Sequence, residues 1–530
     1  MLGSTKPRAG RAATYLVAVA LLASGCFKVG PNFGPMDSDV SDSWGEAEDD
    51  RVSTDPAQTA EWWKQFHDPV LESLIEQAYE QNPTLQIAGL RVYEARTTVG
   101  VTVSTLFPQI QQVSASAGGA ELSENAEPIS NLPGPVRRGV DTNIGNFRVG
   151  FDVAWELDFW GRFRRSVESA DAALAASIAS YDDVMVTLTG EVALAYVLLR
   201  TLEERLGVAE SNAALQQRSL EISEVRNKNQ LTTELDPQLA RAFLRNTQAA
   251  IPELEAGIRR VKNGLSVLLG KSPRALDREL AQGHGIPETA ELLTLGVPSE
   301  LLRRRPDIRR AEYLAAAQSP RIGIAKADLF PAFTLLGSIG ASSDDFDLFD
   351  SASRFGFGLI GLRWNIFNYG RIRNLVRAED ARFQQLILNY QNTVLMAARE
   401  VEDATTSHLA ARDQVVLLED GAKASARAVE LATVQYRDGI ADYTRVLDSQ
   451  RFLLLQQDQV ALAKGKVAAS LVSVYKALGG GWELRELDSL ISPEVRDTME
   501  ERTHWGDLLE PGGVDPVEDD ERGAVRLPDF

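Results

Sequence analysis

The chain is written twice. Trp155-Glu156-Leu157-Asp158-Phe159-Trp160-Gly161-Arg162 returns 209 residues later as Trp364-Asn365-Ile366-Phe367-Asn368-Tyr369-Gly370-Arg371. The same spacing pairs Tyr181 with Tyr390 and Glu191 with Glu400. Upstream, Leu106-Phe107-Pro108 returns 223 residues later as Leu329-Phe330-Pro331, so the first copy carries the longer loop between its strands. Self-similarity at a fixed offset means that one supersecondary unit is laid down twice, and it restricts the fold to architectures built by repeating that unit. Each copy reads helix, strand, loop, strand, long helix, turn, helix.

The long helices carry heptads. In the first copy Leu174, Tyr181, Leu188, Ala195 and Leu202 occupy one position, and Ile178, Met185, Val192, Leu199 and Leu206 the position four residues on. The second copy repeats the seam with Phe383, Ile387, Tyr390, Val394, Ala397, Val401 and Ala404. Apolar groups at 3-4 spacing make a stripe that asks for a partner helix. Proline is absent from Arg164 to Asn227 and from Arg373 to Arg437, so each run predicts a helix of roughly 90–95 Å. A coiled-coil rod satisfies this part of the sequence.

The strands do not fit a rod. Phe147, Val149, Phe151, Val153 and Trp155 alternate with Arg148, Gly150, Asp152, Ala154 and Glu156. Nine or ten residues, apolar on one face and polar on the other, is the pattern of a tilted transmembrane β-strand. Strands are expected at about 109–118, 147–156, 332–340 and 354–364. The polar stretches 119–146 and 341–353 suit extracellular loops. Four strands cannot enclose a pore, because even eight leave room only for side chains. If these strands lie in a membrane, the chain must oligomerise.

The chain has 530 residues, 44% of them hydrophobic, 25% charged, and a net charge of −20. The acidic balance argues against a nucleic-acid partner. Lys6, Arg8 and Arg11 precede an apolar stretch from Ala12 to Ala23, and small residues lead to Cys26, the single cysteine. This is the layout of a lipoprotein signal over residues 1–25, with Cys26 the lipidated residue and Phe27 at the following position. Several acyl chains on one cysteine hold a membrane far better than one chain does. No later segment has the uninterrupted apolar length of a transmembrane helix, so any crossing must be made by strands in a closed barrel.

Cys26-Phe27-Lys28-Val29-Gly30-Pro31-Asn32-Phe33, Trp62-Trp63-Lys64-Gln65-Phe66-His67-Asp68-Pro69, Asn82-Pro83 and Leu302-Arg303-Arg304-Arg305-Pro306-Asp307-Ile308-Arg309-Arg310-Ala311-Glu312 collect into one pattern. Together they resemble the TolC-like outer membrane efflux protein family, in its NodT-type lipoprotein branch, from about Cys26 to Trp482. The resemblance implies a mixed all-α plus transmembrane β-barrel fold. In it a homotrimer gives four strands per chain to a 12-stranded barrel in the outer membrane, and the barrel continues as an α-helical periplasmic tunnel. It implies an N-terminal anchored segment at 26–60, repeats at 61–270 and 307–481, an equatorial connection at 271–306 and an acidic tail at 482–530. Its implied partners are outer-membrane lipid, a periplasmic adaptor protein and an inner-membrane pump of the resistance-nodulation-division (RND) type. No cofactor is implied beyond the lipid on Cys26. The exported compounds would be drugs, toxic organics or metal ions.

By the same resemblance the two hairpin turns form the periplasmic end of the tunnel. Each turn is expected to carry a glycine followed by an aspartate. The second has Gly439 and Asp442; in the first, Gln230 stands in the glycine's place and Asp236 follows. Asparagine tolerates the left-handed conformation, so Asn229 is expected to take it. Asp442, Tyr443, Asp438, Arg437, Arg226 and Asp236 are the implied constriction residues, and Gln230, Leu231, Gly439 and Ile440 the implied adaptor contacts. A ring of carboxylates repeated by symmetry favours cations.

No catalytic constellation appears. Gly356-Phe357-Gly358-Leu359-Ile360-Gly361 has the spacing of a dinucleotide loop but lies in a strand pattern and opens no helix. His67, His284, His408 and His504 have no metal-ligand spacing. His408 falls on the heptad seam where the first copy has Leu199, which predicts a packed core histidine, and Arg303-Arg304-Arg305 reads as structural pairing. A lipid-anchored coiled-coil protein would account for the anchor and the helices, and would leave the paired strands unexplained.

Overall fold

The structure is a computed structural model that describes residues 27–509, apart from residues 35, 37–40, 124, 128, 284, 291 and 484–489. Cys26, the leader before it, His284 and the tail from Glu510 lie outside the described residues. From the 22-residue helix before the strands onward, each repeat contributes the same series. The first has α1 (Pro69–Gln81), α2 (Pro83–Ser104), β1 (Ile110–Glu121), β2 (Asn143–Leu157), α3 (Arg162–Lys228) and α4 (Leu235–Leu268). The second has α5 (Pro306–Ala327), β3 (Ala332–Ser343), β4 (Arg354–Arg363), α6 (Arg371–Arg437) and α7 (Tyr443–Ala477). A last helix, α8, spans Pro493–Arg502.

The two copies match in length. α2 and α5 each have 22 residues, and α3 and α6 each have 67, which is about 100 Å of helix. Both long helices start from a left-handed glycine, Gly161 (φ 75°) and Gly370 (φ 82°). The Asp158 carboxylate accepts from the amides of Phe163 and Arg164, each at 3.0 Å, and so satisfies donors the first turn of α3 leaves open. Asp68 and Asn82 cap α1 and α2 in the same way, each followed by proline at the first helical position.

The strands form one antiparallel sheet in the order β1-β2-β3-β4, leaving β1 and β4 as open edges. The ladders exceed the expected limits: β1 runs to Glu121, β2 begins at Asn143 and β3 runs to Ser343. The first residues of the polar loops thus still pair, because backbone hydrogen bonding does not depend on the apolar alternation that marks the membrane band. In register, Val113, Phe151 and Ile339 share one face, and Asp152 and Ser338 the other. On that polar face Asp152 accepts from Ser114 at 2.7 Å and Ser338 at 2.6 Å, and Arg148 donates to Ser338 at 3.1 Å.

Below the sheet, α3 is the central element. It packs against α2 and α4 of its own repeat and α5 and α7 of the other. α3 also holds an 18-residue window apolar enough for a membrane span (mean hydropathy 1.4), but 67% of that window is buried against these neighbours. Midway along the helices a belt wraps round them. Trp62 stacks on Tyr475 at 5.4 Å, Trp482 donates to the Arg304 carbonyl at 3.0 Å, and Val52–Ser53 pairs in parallel with Leu293–Thr294. Arg305 is buried there between Asp307 and Glu400, both at 2.8 Å, and donates to the Ala477 carbonyl at 2.7 Å. α7 is capped by Leu478, and the left-handed Gly479 and Gly481 follow.

His408 is fully buried, as Leu199 is in the first copy. Its Nδ1 donates to the Val467 carbonyl, 3.2 Å away, with Ser470 Oγ at the same distance. Burial holds its pKa down at about 4, and the nearby Arg412 and Arg51 push the same way. A histidine held below its free value of 6.5 is neutral in the fold. Its cost is therefore absent above pH 6.5 and grows as pH falls to about 4, reaching on the order of 3 kcal/mol. His408→Leu is expected to remove that loss, measured as a flatter dependence of the thermal unfolding midpoint between pH 6.5 and 4.

Candidate functional site

The two hairpin turns lie side by side and share the same two closing bonds. In the first, Leu231 N donates to Arg226 O (2.9 Å) and Gln230 N to Asn227 O (2.9 Å). In the second, Ile440 N donates to Gln435 O (2.8 Å) and Gly439 N to Tyr436 O (3.0 Å). This helix stop requires a left-handed residue just before the last donor. Gly439 supplies it at φ 78°, and Gln230 supplies it at φ 56°. Asn229, expected to take that conformation, has φ −85° and is the cap residue instead. The hydrogen-bond frame fixes which residue must turn left-handed, and glutamine accepts a strain of about 1–2 kcal/mol there.

Above the turns the two repeats lock together. Asp236, at the start of α4, accepts from the Tyr436 hydroxyl of α6 at 3.0 Å and from the Thr232 hydroxyl. Tyr436 lies edge-on to Tyr443 at 5.2 Å, and the Arg226 guanidinium covers the Tyr436 ring at 4.8 Å. Arg226 also donates to the Arg437 carbonyl at 2.7 Å. A cation thereby meets the carbonyl end of α6, where the helix dipole is negative. The two tyrosines sit in a small apolar cluster with Leu220, Phe243, Leu244 and Val446.

Of the residues singled out, Arg226, Asp236 and Tyr443 meet in this lock. Tyr443 is 2% exposed, so its ring faces protein within the chain. Asp442, Arg437 and Asp438 lie on the surface, the latter two 3.4 Å apart. Gln230, Leu231, Gly439 and Ile440 form the exposed outer rim, with Leu231 64% and Ile440 77% exposed. Tyr436 is the residue that sequence reasoning passed over. The available signal was an aromatic residue one turn before the glycine, where the first copy has Asn227.

A second feature lies at the sheet. Its apolar face is bare, with Val113 76%, Ile339 63% and Ile360 72% exposed. Its edges present unpaired backbone donors and acceptors. The sheet is joined to helices of about 100 Å that end in the paired turns. Over this arrangement the sequence matches the family profile described as outer membrane efflux protein, across residues 74–271 and 297–480.

The chain belongs to the outer membrane efflux protein family.

It is 28% identical over 466 residues to nodulation protein T of Rhizobium leguminosarum bv. trifolii, covering 87% of this chain and 96% of that one. It is 32% identical over 426 residues to the pyoverdine export outer membrane protein OpmQ of Pseudomonas putida, covering 80% and 88%. The solved outer-membrane channel OprN superposes with a TM-score of 0.79 at 32% identity, covering 86% of this chain and 99% of that channel. The protein is accordingly an efflux channel of the outer membrane that extends into the periplasm. Its fold is that of these channels, sheet above and helical tunnel below.

Burial, together with the bond to Asp236, raises the Tyr436 hydroxyl to about 12. A hydroxyl raised above its free value of about 10 favours the neutral folded form. The stabilisation is complete below pH 10 and is lost as pH climbs through 12. Tyr436→Phe deletes the bond between the repeats and is expected to destabilise the tips by about 1–3 kcal/mol. Hydrogen exchange would show faster opening of the amides flanking both turns. The variant's unfolding midpoint would also change less between pH 10 and 12 than the parent's.

Proposed function

We propose that the chain acts as a homotrimer whose sheets close into a 12-stranded barrel, through which small compounds pass passively from an inner-membrane pump. The observation that carries this reading is the open four-stranded sheet with one apolar face, mounted on long paired helices. In a bilayer an open edge leaves several kcal/mol of unsatisfied backbone at every second residue. Three sheets joined edge to edge remove all six edges and leave a lumen wide enough for solute. The duct performs no chemistry of its own, and the energy for export comes from the pump.

An RND-type pump and a periplasmic adaptor are the proposed partners, with the adaptor meeting the rim at Gln230, Leu231, Gly439 and Ile440. OpmQ bears the name of a pyoverdine exporter, which supports pyoverdine-like compounds among the candidate cargo. Cys26 is the proposed lipid anchor. The residues just after it support this, because they are fastened to the junction of sheet and helices: Val29 N donates to the Trp160 carbonyl at 3.1 Å, and Arg165 donates to Asn32 Oδ1 at 2.8 Å. Asp438 and Asp442 are the proposed lumen-facing carboxylates, while Tyr436, Tyr443, Arg226 and Asp236 hold the turns that carry them.

The test is planar-bilayer conductance of the detergent-purified protein, with its mass measured alongside. Discrete cation-preferring channels from a trimer are expected. Asp438→Asn with Asp442→Asn should lower the cation preference at least about two-fold, since the carboxylates that concentrate cations in a narrow ring are removed. Unchanged selectivity would remove these residues from the constriction. A monomer that stays soluble without detergent and opens no channels would favour the anchored coiled-coil protein instead.

A further inference from the structure

The duplication makes the seam between the repeats a template for the seam between subunits. Inside the chain, α3 and β2 of the first repeat lie against α5 and β3 of the second. The second repeat's equivalents of α3 and β2 are α6 and β4, and among the described residues no helix or strand occupies the place of the next repeat; the N-terminal segment runs along α6, with Phe33 against Phe383, Gly45 N donating to Glu402 and Arg51 paired with Asp413. The consequence is visible in exposure. Ala179 and Val186 of α3 are 0% and 6% exposed. Their counterparts 209 residues on, Leu388 and Leu395 of α6, are 57% and 60% exposed. Trp160 donates its indole to the Pro331 carbonyl at 2.8 Å and stacks on Phe330 at 4.6 Å. Its counterpart Tyr369 is fully exposed, and the counterparts of Phe330 and Pro331 are Phe107 and Pro108, which open the free edge strand β1.

The offsets fix a register. β4 follows β2 by 209 residues. β3 follows β1 by 222, because Ile110 pairs with Ala154 as Ala332 pairs with Arg363. The β2–β3 ladder pairs Phe147 with Ser343 and Ala154 with Leu336. Carried to the next seam, it pairs Gly356 with Glu121 and Arg363 with Ser114 of the neighbouring protomer.

One feature of the template is not repeated. Asp182 and Asp183 of α3 face Arg309 and Arg310 of α5, at 3.6 Å and 2.8 Å, and Asp182 is fully buried. At the second seam these positions are Gln391 and Asn392 on one side, and Gln86 and Ile87 on the other. If a second repeat's α5 were replaced by another chain's α2, the two aspartates would face glutamine and isoleucine. A buried charge without its partner costs several kcal/mol.

Resting on the trimeric reading above, in which the subunit seam copies the repeat seam and β4 of one protomer meets β1 of the next, we propose that the strands meet in the register Gly356↔Glu121 to Arg363↔Ser114, and that the Asp182–Arg309 and Asp183–Arg310 pairs decide which of the two look-alike seams closes within the chain. The partner is a second copy of this chain. The charged seam joins repeats in one polypeptide, and the neutral seam joins polypeptides.

The register is tested by cysteine pairs in the full-length protein, purified in detergent and oxidised, with mass measured in parallel. Leu359→Cys with Gly118→Cys tests the polar face, and Gly358→Cys with Gly119→Cys the apolar face. Adjacent pairs alternate between the close and the wide spacing of an antiparallel ladder, so one of the two is of the close kind. A side chain added at Gly118, Gly119 or Gly358 meets no atom within 3.8 Å in the chain. Covalent dimers and trimers are expected at least about five-fold above the shifted pairs Leu359→Cys with Ala120→Cys and Leu359→Cys with Ser116→Cys. A trimer in which a shifted pair links best, or no pair links, overturns the register and leaves the trimeric reading standing. A monomeric mass overturns both.

The charge rule is tested by transplantation. Gln391→Asp with Asn392→Asp places two carboxylates at the neutral seam and should reduce the trimer fraction about ten-fold or more. Adding Gln86→Arg and Ile87→Arg should restore it. Full trimerisation of the first variant, or failure of the second pair to rescue, would overturn the rule.

Discussion

Every backbone amide in a bilayer must find its partner within protein, and the chain leaves two strand edges unprovided for. The sheet β1-β2-β3-β4 has apolar side chains on one face and a hydrogen-bonded polar row on the other, so it suits the wall of a water-filled tube and little else. The helices below inherit its geometry. Both α3 and α6 spring from a left-handed glycine directly after a sheet strand, so the spacing of the strands sets the spacing of the coiled helices. Much of what appears as an unfinished surface in one chain, including the bare side of α6 and the aromatic tongue after β4, follows from that open edge.

At the other end the same two helices are held by a few polar contacts. The Tyr436–Asp236 hydrogen bond and the Arg226 guanidinium lying over Tyr436 join residues of different repeats. They sit beside an apolar cluster much smaller than the one at the belt. Local stability in a protein follows the density of buried apolar contact, so the tips are the part of the tunnel where helices separate with least disturbance. The belt, with Trp62 on Tyr475 and Arg305 between two carboxylates, is the part least able to move.

Much of this was legible in the residues. Proline-free heptads marked the long helices to within a few residues, and strict alternation marked β2. Extents of strands were less legible, because pairing continues into polar sequence that carries no alternation. The left-handed Gln230 was hidden for a related reason. Composition names the residues that adopt such a conformation readily, whereas a hydrogen-bond frame imposed by Arg226 and Leu231 decides which residue must. Tyr436 was missed because its partner, Asp236, lies 200 residues away in the chain and on the other repeat, where no local pattern points to it. His408 was placed correctly as a core residue from a single comparison, its alignment with Leu199.

The equal length of α3 and α6 has a consequence for how such a protein can change. Two rods of 67 residues, fixed together at the sheet and again at the turns, act as a ruler with two blades. Lengthening one blade alone would part Tyr436 from Asp236 and misalign the rim. A heptad added to both, with matching heptads in the returning helices α4 and α7, would move the rim about 10 Å and keep the seams in phase. Evolutionary adjustment to a deeper or shallower periplasm is thus quantised, and each step has to be written into the gene in four places at once.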